Sequence, residues 1–434
     1  MNSEHITRLI YEYNPQRRGG EITVPKFKRE IYPEIEKWLE KKQAISIVGL
    51  RRTGKTVIMR QMMQGKAQGS GFFSFDEQET QNKETLMYVI DFMVSNFKAR
   101  YLFLDEVHYV KDWEGVLKRY YDQGGVKFII SGSESLDIRK AKSAMGGRLV
   151  AFKIAPFGFR EYLALKGEPV VMDHVSLNDH DGLETAYRTL MTKKELFEHE
   201  LLEYTCKGAF PELIEEADQS VIRKYIRDLI VEKIIFRDIP AIFDIRRRQL
   251  LQDLFTYICE NSAQLYDVQK LCNLFQADNE TVTNYLFYLN SAFLIHSAST
   301  FSRSAAKRQR RNKKIYVVHP CMAFAVLDYT REMLIDRVLG HYIETLFSSN
   351  YFFRDKKKNE VDVVLSTDPI CPIEVKFQNE LTNSDLKGLL SFMDDFAVKR
   401  GLLATKGTFA RQNIGEKEIL SLPAWMLLLA YPNL

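Results

Sequence analysis

Residues Gly49-Leu50-Arg51-Arg52-Thr53-Gly54-Lys55-Thr56 combine two glycines, a lysine and a hydroxyl at a spacing that suits a bound phosphate. The glycines let successive backbone N–H groups turn into one concavity, which meets the N-terminus of a helix where partial positive charge favours phosphate oxygens. Arg51, Arg52, Thr53, Gly54 and Val57 line the loop and first helical turn. Lys55 reaches the β- and γ-phosphates of ATP, and the Thr56 hydroxyl takes a ligand position on Mg2+. The apolar run Ala44 to Val48 before the loop and the helical segment after it supply the strand, loop and helix that the motif requires.

A second strand, Tyr101 to Leu104, ends in Asp105-Glu106. Asp105 is where a magnesium-organising carboxylate belongs. Glu106 beside it can orient and polarise an attacking water, which points to hydrolysis rather than to phosphoryl transfer onto a small molecule. The alternative, two acids capping a buried strand, leaves the loop at Gly49 without its partner. A third strand, Val126 to Ile130, ends at Ser131-Gly132-Ser133, where the Ser131 hydroxyl can sense a γ-phosphate or position the water. A basic helical segment with Arg139, Lys140 and Lys142 follows, then Gly146-Gly147-Arg148 before the apolar strand Leu149 to Ile154.

Near the other end, NEVDVVLSTDPICPIEVKFQ alternates with period two. Val361, Val363 and Leu365 are expected on one strand face with Glu360 and Asp362 on the other; Ile373 and Val375 face the core while Glu374 and Lys376 point together to the opposite side. This is a D…E-x-K arrangement, in which Asp362 and Glu374 hold a divalent metal and Lys376 supports the attacking water or developing charge. Glu344 completes the acid set from a preceding helix whose Ile343, Leu346 and Phe347 fall at helical spacing. A charged, exposed sheet face with salt bridges to Lys376 is the competing interpretation.

Between these ends, Leu250, Leu251, Leu254, Phe255 and Ile258 recur at helical spacing, as do Val268, Leu271, Leu274 and Phe275, and then Val282, Tyr285, Leu286 and Leu289. Three short helices, a strand, a basic loop and the strand Ile315 to Val318 make a winged helix. Thr281, Thr283 and Asn284 begin its recognition helix. Lys307, Arg308, Arg310, Arg311, Lys313 and Lys314 form a basic wing that can lie along DNA phosphates. From Phe301 to Val318 there is no acid at all. A solvated loop or a protein-contacting winged helix fits the same residues.

The chain that must position these groups has 434 residues, more than one hydrophobic core usually supports. With 45% apolar and 27% charged residues and no long apolar run, its composition is that of a globular protein without a membrane span. The N-terminal MNSEHITRLIYEY lacks the basic-then-apolar pattern of a secretion signal, so a cytoplasmic location is expected. A net charge of +4 names no partner. The five cysteines, Cys206, Cys259, Cys272, Cys321 and Cys371, are scattered and never spaced C-x-x-C, which argues for packing rather than for disulfides or zinc.

Taken together, the phosphate loop, FLDEVHYVKDWEGVLKRYYDQGGVKFIISGSES, GGRL, APFGFREYL, GAFPEL, FRDI, NEVDVVL and PIEVKF resemble a family of bacterial and archaeal AAA-type ATPases with a restriction-endonuclease-like, PD-(D/E)xK, C-terminal domain. The resemblance implies an α/β fold: a P-loop core with an N-terminal extension over 1–165, a helical lid over 166–245, a winged helix over 246–320 and the nuclease-like domain over 321–434. It implies an arginine finger for a neighbouring subunit at Arg148, hence a homo-oligomer, although an ordinary surface arginine fits the same place. It also implies that Gly208 and Pro211 of the lid lie against the nucleotide, with two residues between them where related proteins have one. The function expected is an ATP-hydrolysing, DNA-binding protein whose nucleotide state controls the winged helix and a nuclease-like domain. A nucleotide-dependent switch on a protein partner is the alternative, and a small-molecule kinase lacks an acceptor site.

Overall fold

The computed structural model describes residues 3–132, 145–172, 175–304, 313–327, 339–347 and 351–431. The chain forms two compact units, one made of residues 1–156 with 241–243 and 291–293, the other of 157–240, 244–290 and 294–434.

In the first unit, strands β1 (Ala44–Gly49), β2 (Ser70–Ser74), β3 (Tyr101–Asp105), β4 (Lys127–Gly132) and β5 (Leu149–Ile154) make one sheet in the order β2-β3-β4-β1-β5. Every pairing is parallel. Parallel strands covered on both faces need apolar residues at successive positions, which is why these runs barely alternate. Ile45, Ile47, Phe103 and Ile129 pack with Ile58, Met59 and Met62 of the helix Lys55–Gln64. Their neighbours Ala44, Leu102, Leu104, Phe128 and Ile130 enter the opposite layer with Ile6 and Ile10 of the helix Ser3–Tyr13 and with Leu86, Val89 and Ile90 of the helix Lys83–Phe97. Because the strands run the same way, Gly49, Asp105 and Ser131 finish on one edge of the sheet.

The second unit holds two further sheets. Strands β6 (Gln264–Tyr266), β7 (Ile295–Thr300), β8 (Lys313–Val317), β9 (Tyr351–Arg354) and β10 (Glu360–Val361) lie in the order β10-β9-β7-β8-β6. Strands β11 (Val363–Leu365), β12 (Cys371–Lys376), β13 (Arg400–Thr405), β14 (Ala410–Ile414) and β15 (Lys417–Pro423) lie in the order β11-β12-β13-β15-β14. The helices Arg248–Glu260, Val268–Phe275 and Asn279–Ser291 with β6, β7 and β8 follow the helix, strand, helix, helix, strand, strand order. Leu250, Leu251, Leu254, Phe255, Ile258, Val282, Tyr285, Leu286 and Leu289 are buried as their spacing predicts. Leu274 is not: it is 58% exposed, and Cys272 takes the inward place. All five cysteines are buried free thiols.

One strand expectation is corrected. Val361 packs with Val364, Leu389 and Phe392, whereas Val363 and Leu365 pack with Ile373 and Val375 in a different core. The alternation breaks at Asp362, where the chain leaves the sheet of β10 and enters that of β11. The larger core also contains Phe159, Tyr162, Phe197, Leu201 and Tyr204 beside Leu402, Leu420 and Trp425. Helices expected to form a lid thus share an interior with the C-terminal sheet, with the Phe197 and Trp425 rings stacked 4.9 Å apart. Among the described residues, no helix is long and apolar enough to cross a membrane.

Candidate functional site

At the sheet edge of the first unit, Gly49 ends β1 against β5. A Cβ there would lie 2.3 Å from the Ile154 carbonyl oxygen, so the close approach of the two strands requires glycine. Arg52 and Gly54 take left-handed backbone angles, with φ of 61° and 91°, and turn the loop into the helix that begins at Lys55. The loop is held from within: the Thr53 hydroxyl donates to Leu50 O at 2.8 Å, and the buried Lys55 Nζ donates to Gly49 O and Leu50 O, each at 3.0 Å. Arg51 stands 3.8 Å from Asp76, and Val57 is half-buried in the first helical turn. Arg29, which sequence reading did not single out, braces the loop by donating to Thr53 O at 2.7 Å and Ala155 O at 3.0 Å. These two partners are main-chain carbonyls, which no side-chain pattern encodes.

Below the loop, Asp105 joins the other expected residues. Its Oδ2 accepts from the Thr56 hydroxyl at 2.7 Å and its Oδ1 accepts from the Ser131 hydroxyl. Ser131 Oγ in turn accepts from the Glu106 backbone N–H at 3.0 Å. Burial, then the adjacent Glu106, push the Asp105 carboxyl up to about 6. Glu106 sits in the left-handed region with φ 52°, a strained setting for a non-glycine residue. Its Oε2 is 3.2 Å from Nδ1 of the buried His108. His108 was missed as well; its place two residues past Glu106 gives no sign that its ring turns back. A glycine-lined loop, an ammonium inside it, and a hydroxyl and a carboxylate in contact at its base form a donor set that fits a nucleoside triphosphate with Mg2+.

Arg148 lies just before β5, and its carbonyl accepts from Ala44 N at the start of β1. It is therefore a full strand length, roughly 15–20 Å, from its own phosphate loop. Its guanidinium pairs with Asp122 at 2.9 Å while remaining partly exposed. Gly208 follows the helix Lys194–Lys207 in the second unit, where a Cβ would meet the Tyr204 ring at 2.0 Å, and Pro211 opens the short helix Pro211–Leu213. Close packing against Tyr204 thus gives Gly208 a reason of its own.

The C-terminal acids come together around a residue expected elsewhere. Lys314 Nζ lies 2.8 Å from Glu344 Oε1, 2.6 Å from Glu360 Oε1 and 3.3 Å from Asp362 Oδ1, and its side chain is 3% exposed. Its assignment to a DNA-contacting wing is corrected: Lys314 is buried in β8 on the same strand face as Tyr316, and the Tyr316 hydroxyl donates to the same Glu344 oxygen at 3.0 Å. Asp362 Oδ2 accepts from Val375 N at 2.9 Å, Arg354 pairs with Glu360 at 3.0 Å, and Lys376 pairs with Glu374 Oε1 at 2.5 Å. Glu374 Oε2 is buried without a hydrogen-bond partner among the described residues. Burial would lower the Lys314 ammonium, but Glu344, Asp362 and Glu360 outweigh it and hold it well above its ordinary value. Burial and Asp362 push Glu344 up to about 8 and Glu374 well above the carboxylate range, because so many acids in one dry space do not all ionise freely. Among the described residues no group of three or more His, Cys, Asp or Glu side chains is arranged to hold a metal ion, so the three-acid metal set of Glu344, Asp362 and Glu374 is not formed.

Of the residues expected to face DNA, Thr281 donates to the helix-capping Asp278 from its backbone N–H at 2.8 Å and from Oγ1 at 2.6 Å, Thr283 is exposed and Asn284 half-buried. Lys313 is exposed beside Lys270, Thr283, Phe287 and Asn290 along an open groove of about 750 Å³. Lys307, Arg308, Arg310 and Arg311 lie outside the described residues, as do Arg139, Lys140 and Lys142.

Comparison with known proteins agrees with the first unit. A family model for an AAA domain matches residues 41–163, and two models for domains of unknown function match 198–332 and 336–425. An uncharacterized protein of Methanocaldococcus jannaschii is 24% identical over 374 residues, 82% of this chain and 77% of that protein. An uncharacterized protein of Haemophilus influenzae is 22% identical over 400 residues, 88% of this chain and 93% of that protein. Among solved structures, the Saccharomyces cerevisiae Hsp104–ADP complex aligns with 59% of this chain and 49% of its own at 16% identity and a TM-score of 0.34. The Thermotoga maritima RuvB Holliday junction branch migration motor aligns with 75% of this chain and 95% of its own at 13% identity and a TM-score of 0.27. The parallel sheet, the phosphate loop and the domain match together identify an AAA-type P-loop fold.

Proposed function

We propose that this protein hydrolyses ATP with Mg2+ and uses that cycle, as a homo-oligomer, to govern DNA binding by its second unit. The observation that carries the ATPase reading is the continuous set of contacts from Thr56 through Asp105 and Ser131 to Glu106 beneath the phosphate loop. Lys55 and the loop N–H groups would hold phosphate oxygens and Thr56 and Asp105 would hold the metal, while Ser131 fixes both the Asp105 carboxylate and the Glu106 main chain. Glu106 orients a water and takes up its proton while His108 steadies its carboxylate. Held there, magnesium would neutralise phosphate charge.

DNA binding is supported by the winged-helix order of elements, by the acid-free run from Phe301 to Val318 and by the exposed Lys313 and Lys270 beside Thr283. Lys313 and the neighbouring Lys307, Arg308, Arg310 and Arg311 serve phosphates, which gives affinity without sequence preference. The test is fluorescence anisotropy with several labelled duplexes across a salt series. Replacing Lys307, Arg308, Arg310 and Arg311 by Ala should weaken binding to every duplex and make its salt dependence shallower. Equal affinity of wild type and variant at all salt concentrations would move the reading to a protein partner.

A further inference from the structure

The D…E-x-K pattern implies a divalent cation among Asp362, Glu374 and Glu344, and the acids are indeed gathered. The space between two of them and Glu360 is filled by the protein itself. An ammonium group has three N–H donors and no acceptor. Lys314 faces one oxygen on each of three carboxylates, Glu344, Glu360 and Asp362, at 2.8, 2.6 and 3.3 Å. These are hydrogen-bond distances, longer than the roughly 2.0–2.1 Å that Mg2+ requires of its oxygen ligands. The match of three donors to three acceptors leaves Lys314 nothing to offer a phosphate. Both oxygens of Asp362 are engaged, the second by Val375 N, and the Glu344 oxygen facing Lys314 also accepts from Tyr316.

We infer that Lys314 is a built-in cation that occupies the place of a divalent metal in the C-terminal acid cluster, so that this cluster ties β8 to β10, Asp362 and the helix Leu339–Leu346 rather than activating water. The residues of the cluster do not fit a resident metal: a divalent ion would have to expel an almost fully buried ammonium and break its contacts with three acids. Removing one partner of a buried ion pair is costly because it leaves the other groups in a dry space without a compensating charge. Removing Lys314 should therefore leave the acids short of a cation and create the metal site that the pattern promises. This inference does not depend on the ATPase or DNA-binding readings, which concern other residues.

Mn2+ binding to the full chain without nucleotide tests it, read from the loss of the free-ion electron paramagnetic resonance signal, with Asp105→Asn in every arm to silence the phosphate-loop carboxylate. With Lys314 present, binding should equal that of the further variant Asp362→Ala. Lys314→Ala should gain one Mn2+ at least tenfold more tightly held, and Lys314→Ala with Asp362→Ala should lose it again. Because Lys314→Ala confronts buried carboxylates with one another, it is run beside Lys314→Ala with Glu344→Gln, which removes one of those charges, and each is checked by circular dichroism. The inference is overturned by a Mn2+ site in the Lys314 chain that Asp362→Ala removes. It is equally overturned if folded Lys314→Ala binds no more Mn2+ than the parent or, where that chain does not fold, if Lys314→Ala with Glu344→Gln binds no more.

Discussion

The Ser131 side chain ties Asp105 to Glu106: its hydroxyl donates to the Asp105 carboxylate and accepts the Glu106 backbone N–H at 3.0 Å. The strand end thereby fixes the Asp105 carboxylate and the Glu106 main chain through one oxygen, the two groups to which the proposed ATPase reading gives the metal and the water. Ser131→Ala removes that link while leaving the phosphate loop intact. Nucleotide affinity should hold within about threefold, while kcat for phosphate release falls about tenfold to a hundredfold, or roughly 1.4–2.7 kcal/mol of transition-state stabilisation. An unchanged kcat would make Ser131 a strand-end hydroxyl without a catalytic consequence.

Arg148 is held by Asp122 a strand length from its own loop, so any action on a nucleotide must be on that of a second copy. Arg148→Ala should fold with near wild-type stability, because an exposed pair contributes only about 0–1 kcal/mol. Its ATPase rate should fall, and mixing it with Lys55→Ala chains should restore part of the activity by forming interfaces with two intact halves. A rate per chain that is constant on dilution, with no oligomer in the presence of ATP, would leave Arg148 as a surface residue.

His319 gives a pH dependence with a definite sign. Burial lowers its imidazole from 6.5 to about 3, and its Nδ1 accepts from Cys321 N at 3.2 Å. The unfolded chain binds the proton more readily than the folded one, so stability is fully present above the unfolded value and is lost as pH falls from about 6.5 toward 3. At pH 5 the loss is about 2 kcal/mol relative to neutral pH. His319→Asn keeps an acceptor for the helix start and removes the titration, so denaturant unfolding should show a pH 7 to pH 5 loss smaller by that amount. Equal losses in both proteins would mean that the ring is not held neutral.

In the first unit the loop and strand-end residues were legible because each closes a local apolar run, whereas Arg29 and His108 were not. Gly49 to Thr56 follows β1, Asp105 and Glu106 follow β3, and Ser131 ends β4, so neighbours in sequence carried the information. The second unit was less so. Val361 and Val363 read as one face, but the chain changes sheets at Asp362 with no glycine or proline to mark it. Lys314 belonged by composition to a solvated basic run. Only its phase with Tyr316 along β8 hinted at an inward place, and its acids Glu344, Glu360 and Asp362 are distant in sequence. Phe197 and Tyr204 share a core with Trp425 and the C-terminal sheet, positions so far apart in the chain that no local spacing joins them.

Division of labour between Lys55 and Glu106 is the centre of the account, and single-turnover ATP hydrolysis with parallel nucleotide-binding titrations addresses it most directly. Lys55→Ala should lose nucleotide binding. Glu106→Gln should bind ATP with wild-type affinity and hydrolyse it at least about a hundredfold more slowly, since the amide cannot accept the water's proton. Wild-type turnover by Glu106→Gln, or undiminished ATP binding by Lys55→Ala, would contradict the assignment of the phosphate loop and strand end as an ATP-hydrolysing site.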